Sequence, residues 1–135
     1  MAFEMYKLEY QEFARRSRPP EVTVKSNGIL GINAASAEEI GNWGMAQLYW
    51  DVDKKRIGIK FYRSDEEADY LLKLRPVKKA GGYLISCKGF LAQYCCLALD
   101  ASLRCPAWYD KAKRMLIVEV SKGRACGRKG AGRHG

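Results

Sequence analysis

The sequence predicts an α+β, β-rich chain. An N-terminal helix precedes two pseudo-repeated strand–strand–short helix–hairpin units, interlocked in one domain. Three observations lead there. Phe3, Tyr6, Tyr10 and Phe13 recur at three- and four-residue steps, the period of one helical face. Short β-branched runs separated by Gly and polar turns fill residues 21–63 and 70–120, which is strand and hairpin patterning. The halves also share residues in the same order. Gly28-Ile29-Leu30 matches Gly82-Tyr83-Leu84. Trp50, Lys55-Arg56-Ile57 and Ile59 match Trp108, Lys113-Arg114-Met115 and Ile117 at a constant step of 58, the kind of period that signals a duplication.

Each element follows from local chemistry. The helix over residues 3–16 ends at Arg18-Pro19-Pro20, because proline cannot continue a helix and restricts the residue before it. Residues 1–20 therefore read as an amphipathic helix and a basic Pro linker. Val22-Thr23-Val24 is β-branched, Asn27-Gly28 is a turn signal, and Ile29, Leu30 and Ile32 form a second strand. Asn33 caps a short helix over residues 34–40 that Gly41 ends. Gln47 to Trp50 and Arg56 to Phe61 flank the polar turn at residues 51–55 as a hairpin. After the acidic stretch 64–70, a strand is expected from Tyr70 to Val77, with Pro76 placing it at an edge. Tyr83-Leu84-Ile85 is a strand, and residues 88–99 leave room for a helix. Residues 107–109 and 115–120 form the last hairpin around Asp110-Lys111-Ala112-Lys113. One domain over residues 21–120, built of repeats 21–63 and 70–120, is followed by a basic Gly/Arg-rich tail, 121–135, expected to be disordered.

Composition narrows the function. At 135 residues and 47% apolar, the chain can bury a core, and no run reaches the length of a membrane span. The start, Met1 to Met5, lacks the charged and apolar regions of an export signal. With five cysteines and no CxxC spacing, the expectation is reduced thiols acting as core filler in the cytoplasm. Zinc is not expected, since the one histidine is His134. Charge is asymmetric: residues 1–67 carry 10 Lys/Arg against 11 Asp/Glu, and residues 68–135 carry 14 against 4. Such a basic half points to an anionic partner.

Residues 28–61 resemble the swapped-hairpin domain of the AbrB/SpoVT superfamily. The matching residues are Gly28-Ile29-Leu30-Gly31-Ile32-Asn33, Ile40-Gly41, Gln47-Leu48-Tyr49, Asp51-Val52-Asp53 and Arg56-Ile57-Gly58-Ile59-Lys60. Residues 82–120 fit the pattern less closely through Gly82-Tyr83-Leu84-Ile85-Ser86, Trp108-Tyr109-Asp110 and Arg114-Met115-Leu116-Ile117. The whole chain also resembles small bacterial proteins with no assigned activity. The superfamily resemblance implies a β-rich domain that pairs its halves and binds DNA or, in antitoxin members, a protein. This chain departs from the pattern where the superfamily carries cations. Ile29 and Tyr83 stand in place of the arginine after the turn glycine, Asn33 and Cys87 in place of the proline, and Ala37 in place of the helix arginine.

Phosphate contacts need cations, so they fall to the second half: Lys73, Arg75, Lys78 and Lys79 around one turn, Lys111, Lys113 and Arg114 around another, and Lys122, Arg124, Arg128, Lys129 and Arg133 in the tail. Phe3, Tyr6, Tyr10 and Phe13 are assigned to oligomerisation, as a homodimer. Ordinary solvated turns and lysine-protected edges would show the same charge pattern. Trp43, Tyr49, Trp50, Tyr83, Trp108 and Tyr109 could stack on bases, but read first as core and cross-strand pairs. Trp50 and Trp108 are expected in equivalent places. Asp51 and Asp53 read as turn caps. No nucleophile, base and oxyanion site assembles, and no phosphate loop is present. The expectation is a non-enzyme without cofactor or metal, a DNA-binding and regulatory protein in the cytoplasm. The alternative is a protein-interaction or assembly module.

Overall fold

A computed structural model describes residues 18–94 and 102–126. The helix expected at residues 3–16, with Phe3, Tyr6, Tyr10 and Phe13, lies outside the described residues, as do Arg128, Lys129 and Arg133. The elements are β1 (Glu21–Val24), β2 (Ile29–Ile32), α1 (Ala34–Ile40), β3 (Met45–Asp51), β4 (Arg56–Tyr62), β5 (Leu72–Lys73), β6 (Arg75–Pro76), β7 (Tyr83–Ser86), α2 (Lys88–Tyr94), β8 (Ser102–Asp110), β9 (Met115–Glu119) and β10 (Arg124–Cys126). A 3-10 turn, Val120–Lys122, precedes β10.

All strand pairs are antiparallel, in the order β5-β3-β4-β9-β8-β1-β2-β7-β6, with β10 on β8. The two ends of this path are joined by the chain itself. β5 sits on the edge of β3, β6 sits on the edge of β7, and only Leu74 separates them. Leu74 is buried, and its N–H donates to the Gly44 carbonyl at 3.0 Å. The segment read from sequence as one strand, Tyr70 to Val77, is thus two short strands on opposite ends of the sheet. Together they nearly close a barrel, which removes most of the exposed edge.

Inside the barrel, alternate residues of each strand meet. Val22 and Val24, Leu30 and Ile32, Ile57, Ile59 and Phe61, Leu116 and Val118, and Ile85 are all buried. Each such side chain contributes about 1.5–3 kcal/mol by leaving water. Helix α1 covers one end. Its cap is as expected: the Asn33 side chain accepts from the Ser36 N–H at 3.0 Å, and Gly41 ends it with φ 85°. Asn33 also accepts from the Glu21 N–H and donates to the Pro19 carbonyl, so it ties the incoming chain to the barrel. Gly28 turns the β1–β2 hairpin with φ 92°, and a Cβ there would come within 2.6 Å of the Lys88 Cβ.

The fold class expected from sequence is corrected here. The described residues form one nearly closed antiparallel barrel-like sheet with two short helices, not two repeated strand–strand–helix–hairpin units. The expected equivalences also join residues on opposite faces. At a step of 58, inward Ile57 and Ile59 align with Met115 and Ile117, yet the fully buried residues of β9 are Leu116 and Val118. At a step of 54, buried Leu30 aligns with half-buried Leu84, while the inward residues of β7 are Tyr83 and Ile85. A one-residue offset in a strand exchanges its faces. Trp50 and Trp108 differ for the same reason: Trp50 packs against the core and Tyr94, while Trp108 is an exposed outward residue. Within the segment expected to be a disordered tail, Arg124–Cys126 form β10 on β8.

Candidate nucleic-acid interface

Cross-strand register brings one set of outward residues into a single row. Arg124 of β10 is opposite Arg104 of β8, Arg104 is opposite Thr23 of β1, and Thr23 is opposite Gly31 of β2. Gly31 is opposite Leu84 of β7, and Leu84 is opposite Arg75 of β6. The row crosses six strands with arginines at both ends and the smallest side chain near its middle. Lys25 fills the space that Gly31 leaves: its Cε is 3.3 Å from where a Gly31 Cβ would stand.

Over this row lies a cleft of about 630 Å³, with Thr23, Gly31 and Leu84 among its lining residues. Its charged lining residues are Arg18 and Lys25, and among the described residues no Asp or Glu lines it. One wall is the β6–β7 turn, where Val77, Ala80 and Gly82 line the cleft and Lys78 and Lys79 are exposed. Lys88 is exposed at the start of α2, beside Gly28. Among the described residues, Glu21 is within ion-pair reach of the row, 3.7 Å from Arg104 and 4.0 Å from Arg124. Glu38 lines an adjoining cleft that shares Val77, Gly82 and Tyr83 with this one.

The residues assigned to phosphate contacts from sequence divide accordingly. Arg75, Lys78 and Lys79 border the cleft, and Arg124 ends the row. Arg75 also donates to the Ser86 hydroxyl at 3.4 Å. Lys73 is exposed on β5, beside Met45 of β3. Lys122 is exposed in the 3-10 turn. Lys111 and Lys113 are exposed in the β8–β9 turn, away from the row. Arg114 is committed elsewhere: its guanidinium is 3.1 Å from both Glu66 oxygens and lies over Trp43, 5.0 Å from the ring centroid. The Arg63 N–H, donating to Glu66 at 2.7 Å, and the Arg114 guanidinium hold the Glu66 carboxyl below its ordinary range, against an opposing effect of desolvation.

Sequence reasoning misses Arg18, Lys25 and Arg104. Arg18 reads as part of a linker, and the sequence reading gives Lys25 no role. Arg104 escapes because the strand is expected to begin near residue 107, while β8 begins at Ser102. The alternation of Leu103, Arg104 and Cys105 is the signal that could have found it. Cys87 and Cys105 are buried, as expected of core filler.

Comparison with protein-family models, curated proteins and solved structures finds no match. Among the described residues, no helix is long and apolar enough to cross a membrane.

Proposed function

We propose that this chain is a nucleic-acid-binding protein of the cytoplasm, with phosphates seated on the row from Arg124 to Arg75. The observation that carries the reading is the cleft at its centre: Arg18 and Lys25 line it, Lys78 and Lys79 stand on its wall, and no acid among the described residues lines it. Cations along one groove displace condensed counterions from a phosphate backbone, so they supply affinity that does not depend on base sequence. The small residues Gly31 and Thr23 keep the floor low. That allows a backbone to approach the ammonium of Lys25. Duplex DNA is the first probe, because the AbrB/SpoVT resemblance of residues 28–61 and 82–120 points to DNA.

The test is fluorescence anisotropy of a labelled duplex across a salt series. Wild-type protein is expected to bind with a steep negative salt slope. Replacing Arg75, Lys78 and Lys79 by Ala is expected to reduce that slope by about one for each phosphate left without its cation. Replacing Lys111 and Lys113 by Ala is expected to leave it unchanged. An unaltered slope in the first variant overturns the assignment to this face. Absence of binding to any oligonucleotide at low salt favours the second reading, a protein-interaction module. Its supporting observation is the outward apolar row of Trp108, Ile117, Gly58 and Tyr49.

A further inference from the structure

A second cleft of about 630 Å³ lies along β3 beyond its pairing with β5. Strand β5 pairs only with Met45 and Ala46 of β3. Gln47 to Asp51 have no strand partner on that edge among the described residues. Four consecutive β3 residues, Gln47 to Trp50, line the cleft, so it runs along the strand edge rather than over either face. Aromatic rings form its walls. Trp50 stacks on Tyr94 at 6.3 Å between centroids, and Phe90 meets Tyr94 at 5.2 Å. Tyr49, Tyr94 and Tyr70 are 44%, 42% and 91% exposed.

Two details, one polar and one of the backbone, make this more than a gap in packing. Gln47 is held on all sides: its amide nitrogen donates to the Asp69 carbonyl at 2.8 Å, and its oxygen accepts from the Tyr62 hydroxyl at 2.9 Å and from the Tyr49 hydroxyl. That fixes Tyr49 and the 69–70 turn relative to the strand. Tyr70 has φ 57°, a left-handed conformation that a bulky residue keeps only where its surroundings impose it. Tyr70 is among the residues lining the cleft. From Tyr70 the chain runs through exposed Lys73 and Arg75 to Lys78 and Lys79, so a line of cations connects this cleft to the row described above.

We infer that this cleft receives the unpaired bases of a single-stranded nucleic acid whose phosphates follow Lys73 and Arg75. The inference rests on the reading of the cationic row and adds the class of ligand to it. Aromatic faces accept any base by stacking, and neighbouring cations supply the backbone affinity, which together is how single strands are bound without sequence preference. A duplex offers no unstacked base to such a cleft. Among the described residues, no charged residue lines the cleft, and exposed Asp51 and Asp69 adjoin it in the chain. The exposed cations from Lys73 to Lys79 favour a nucleic acid over an extended peptide on the β3 edge. A peptide has no need of the cations at positions 73 to 79.

The experiment compares labelled oligothymidylate with a duplex of the same length, using the full chain. The variants are Tyr70→Ala with Tyr94→Ala, and Tyr70→Phe. The double alanine variant is expected to lose about 5- to 100-fold in affinity for oligothymidylate, with duplex binding unchanged. Tyr70→Phe is expected to keep both. Quenching of tryptophan emission by oligothymidylate is expected in the wild type and lost in Trp50→Phe. Equal loss for both probes, or no loss for either, overturns the inference while leaving the cationic row standing. If neither probe binds the wild type, the reading of the row itself has failed.

Discussion

Two outward rows cross this barrel, and they differ in what stands at their ends. One runs Arg124, Arg104, Thr23, Gly31, Leu84, Arg75 over β10, β8, β1, β2, β7 and β6. The other runs Trp108, Ile117, Gly58, Tyr49 over β8, β9, β4 and β3. Each contains a glycine over which a neighbouring side chain lies: Lys25 at Gly31, and Met115 at Gly58. In the first row that neighbour carries a charge into an open cleft. In the second it is a thioether that fills the gap. Arg56 shows the same contrast. It lies over Trp108 at 5.0 Å and is held by Glu119 at 2.7 Å, so its charge is matched on the protein. Among the described residues, the cleft over the first row has no acid in its lining. A glycine thus serves packing in the second row and leaves Lys25 at an open cleft in the first, where Arg104 and Arg124 are themselves paired with Glu21.

Both rows rest on one core, and the strongest substitution tests that. Phe61 is fully buried between Trp43 and Tyr109, with ring centroids at 6.4 and 6.3 Å. Phe61→Ala is expected to cost about 3–5 kcal/mol, read as a lowered midpoint in urea with a single transition. Two separate transitions would undo the pairing of the rows, which would then belong to independently folding parts.

The two glycines refine the contrast at smaller magnitude. A Cβ at Gly58 would stand 2.7 Å from the Met115 sulfur, whereas one at Gly31 meets the flexible end of Lys25 at 3.3 Å and Leu84 at an ordinary 3.8 Å. Gly58→Ala is expected to cost on the order of 1 kcal/mol through overpacking. Gly31→Ala is expected to stay within about 0.5 kcal/mol of wild type. Paired thermal unfolding checks the order. A larger cost at Gly31 would mean that Lys25 is not displaceable.

A weaker effect concerns pH. The Glu66 carboxyl has a folded-state pKa below its ordinary value. Its contribution is present above the unfolded pKa and disappears as pH falls through the folded value. Stability of Glu66→Gln is therefore expected to fall less steeply than wild type across the acidic limb below the ordinary carboxylate range. Parallel curves would show that the Arg63 and Arg114 contacts do not discriminate the two protonation states.

Much of the local structure is legible in the residues. Asn33 and Gly41 bound α1 because capping is a short-range hydrogen-bond problem that nearby side chains solve. The β3–β4 and β8–β9 hairpins can be placed because alternation and polar turns are also local. The registers between halves are not legible. Matching Trp50 to Trp108 by letter places inward and outward residues together, since nothing within a single strand records which face its partner strands bury. Likewise, Lys78 and Arg75 are visible as cations, but Lys25 and Arg104 join them only through pairing with distant strands.

Residue order alone specifies most of the strands and short helices, where they cap and turn, and that the excess charge lies in the second half. Folding in three dimensions was needed to split Leu72 to Pro76 between the two ends of the sheet and nearly close a barrel. It was also needed to bring arginines from β10, β8 and β6 into one row, and to turn Trp108 outward. The cause is range. Capping and turn formation satisfy hydrogen bonds within a few residues, whereas barrel closure and face assignment depend on which distant strand satisfies each edge and buries each apolar face.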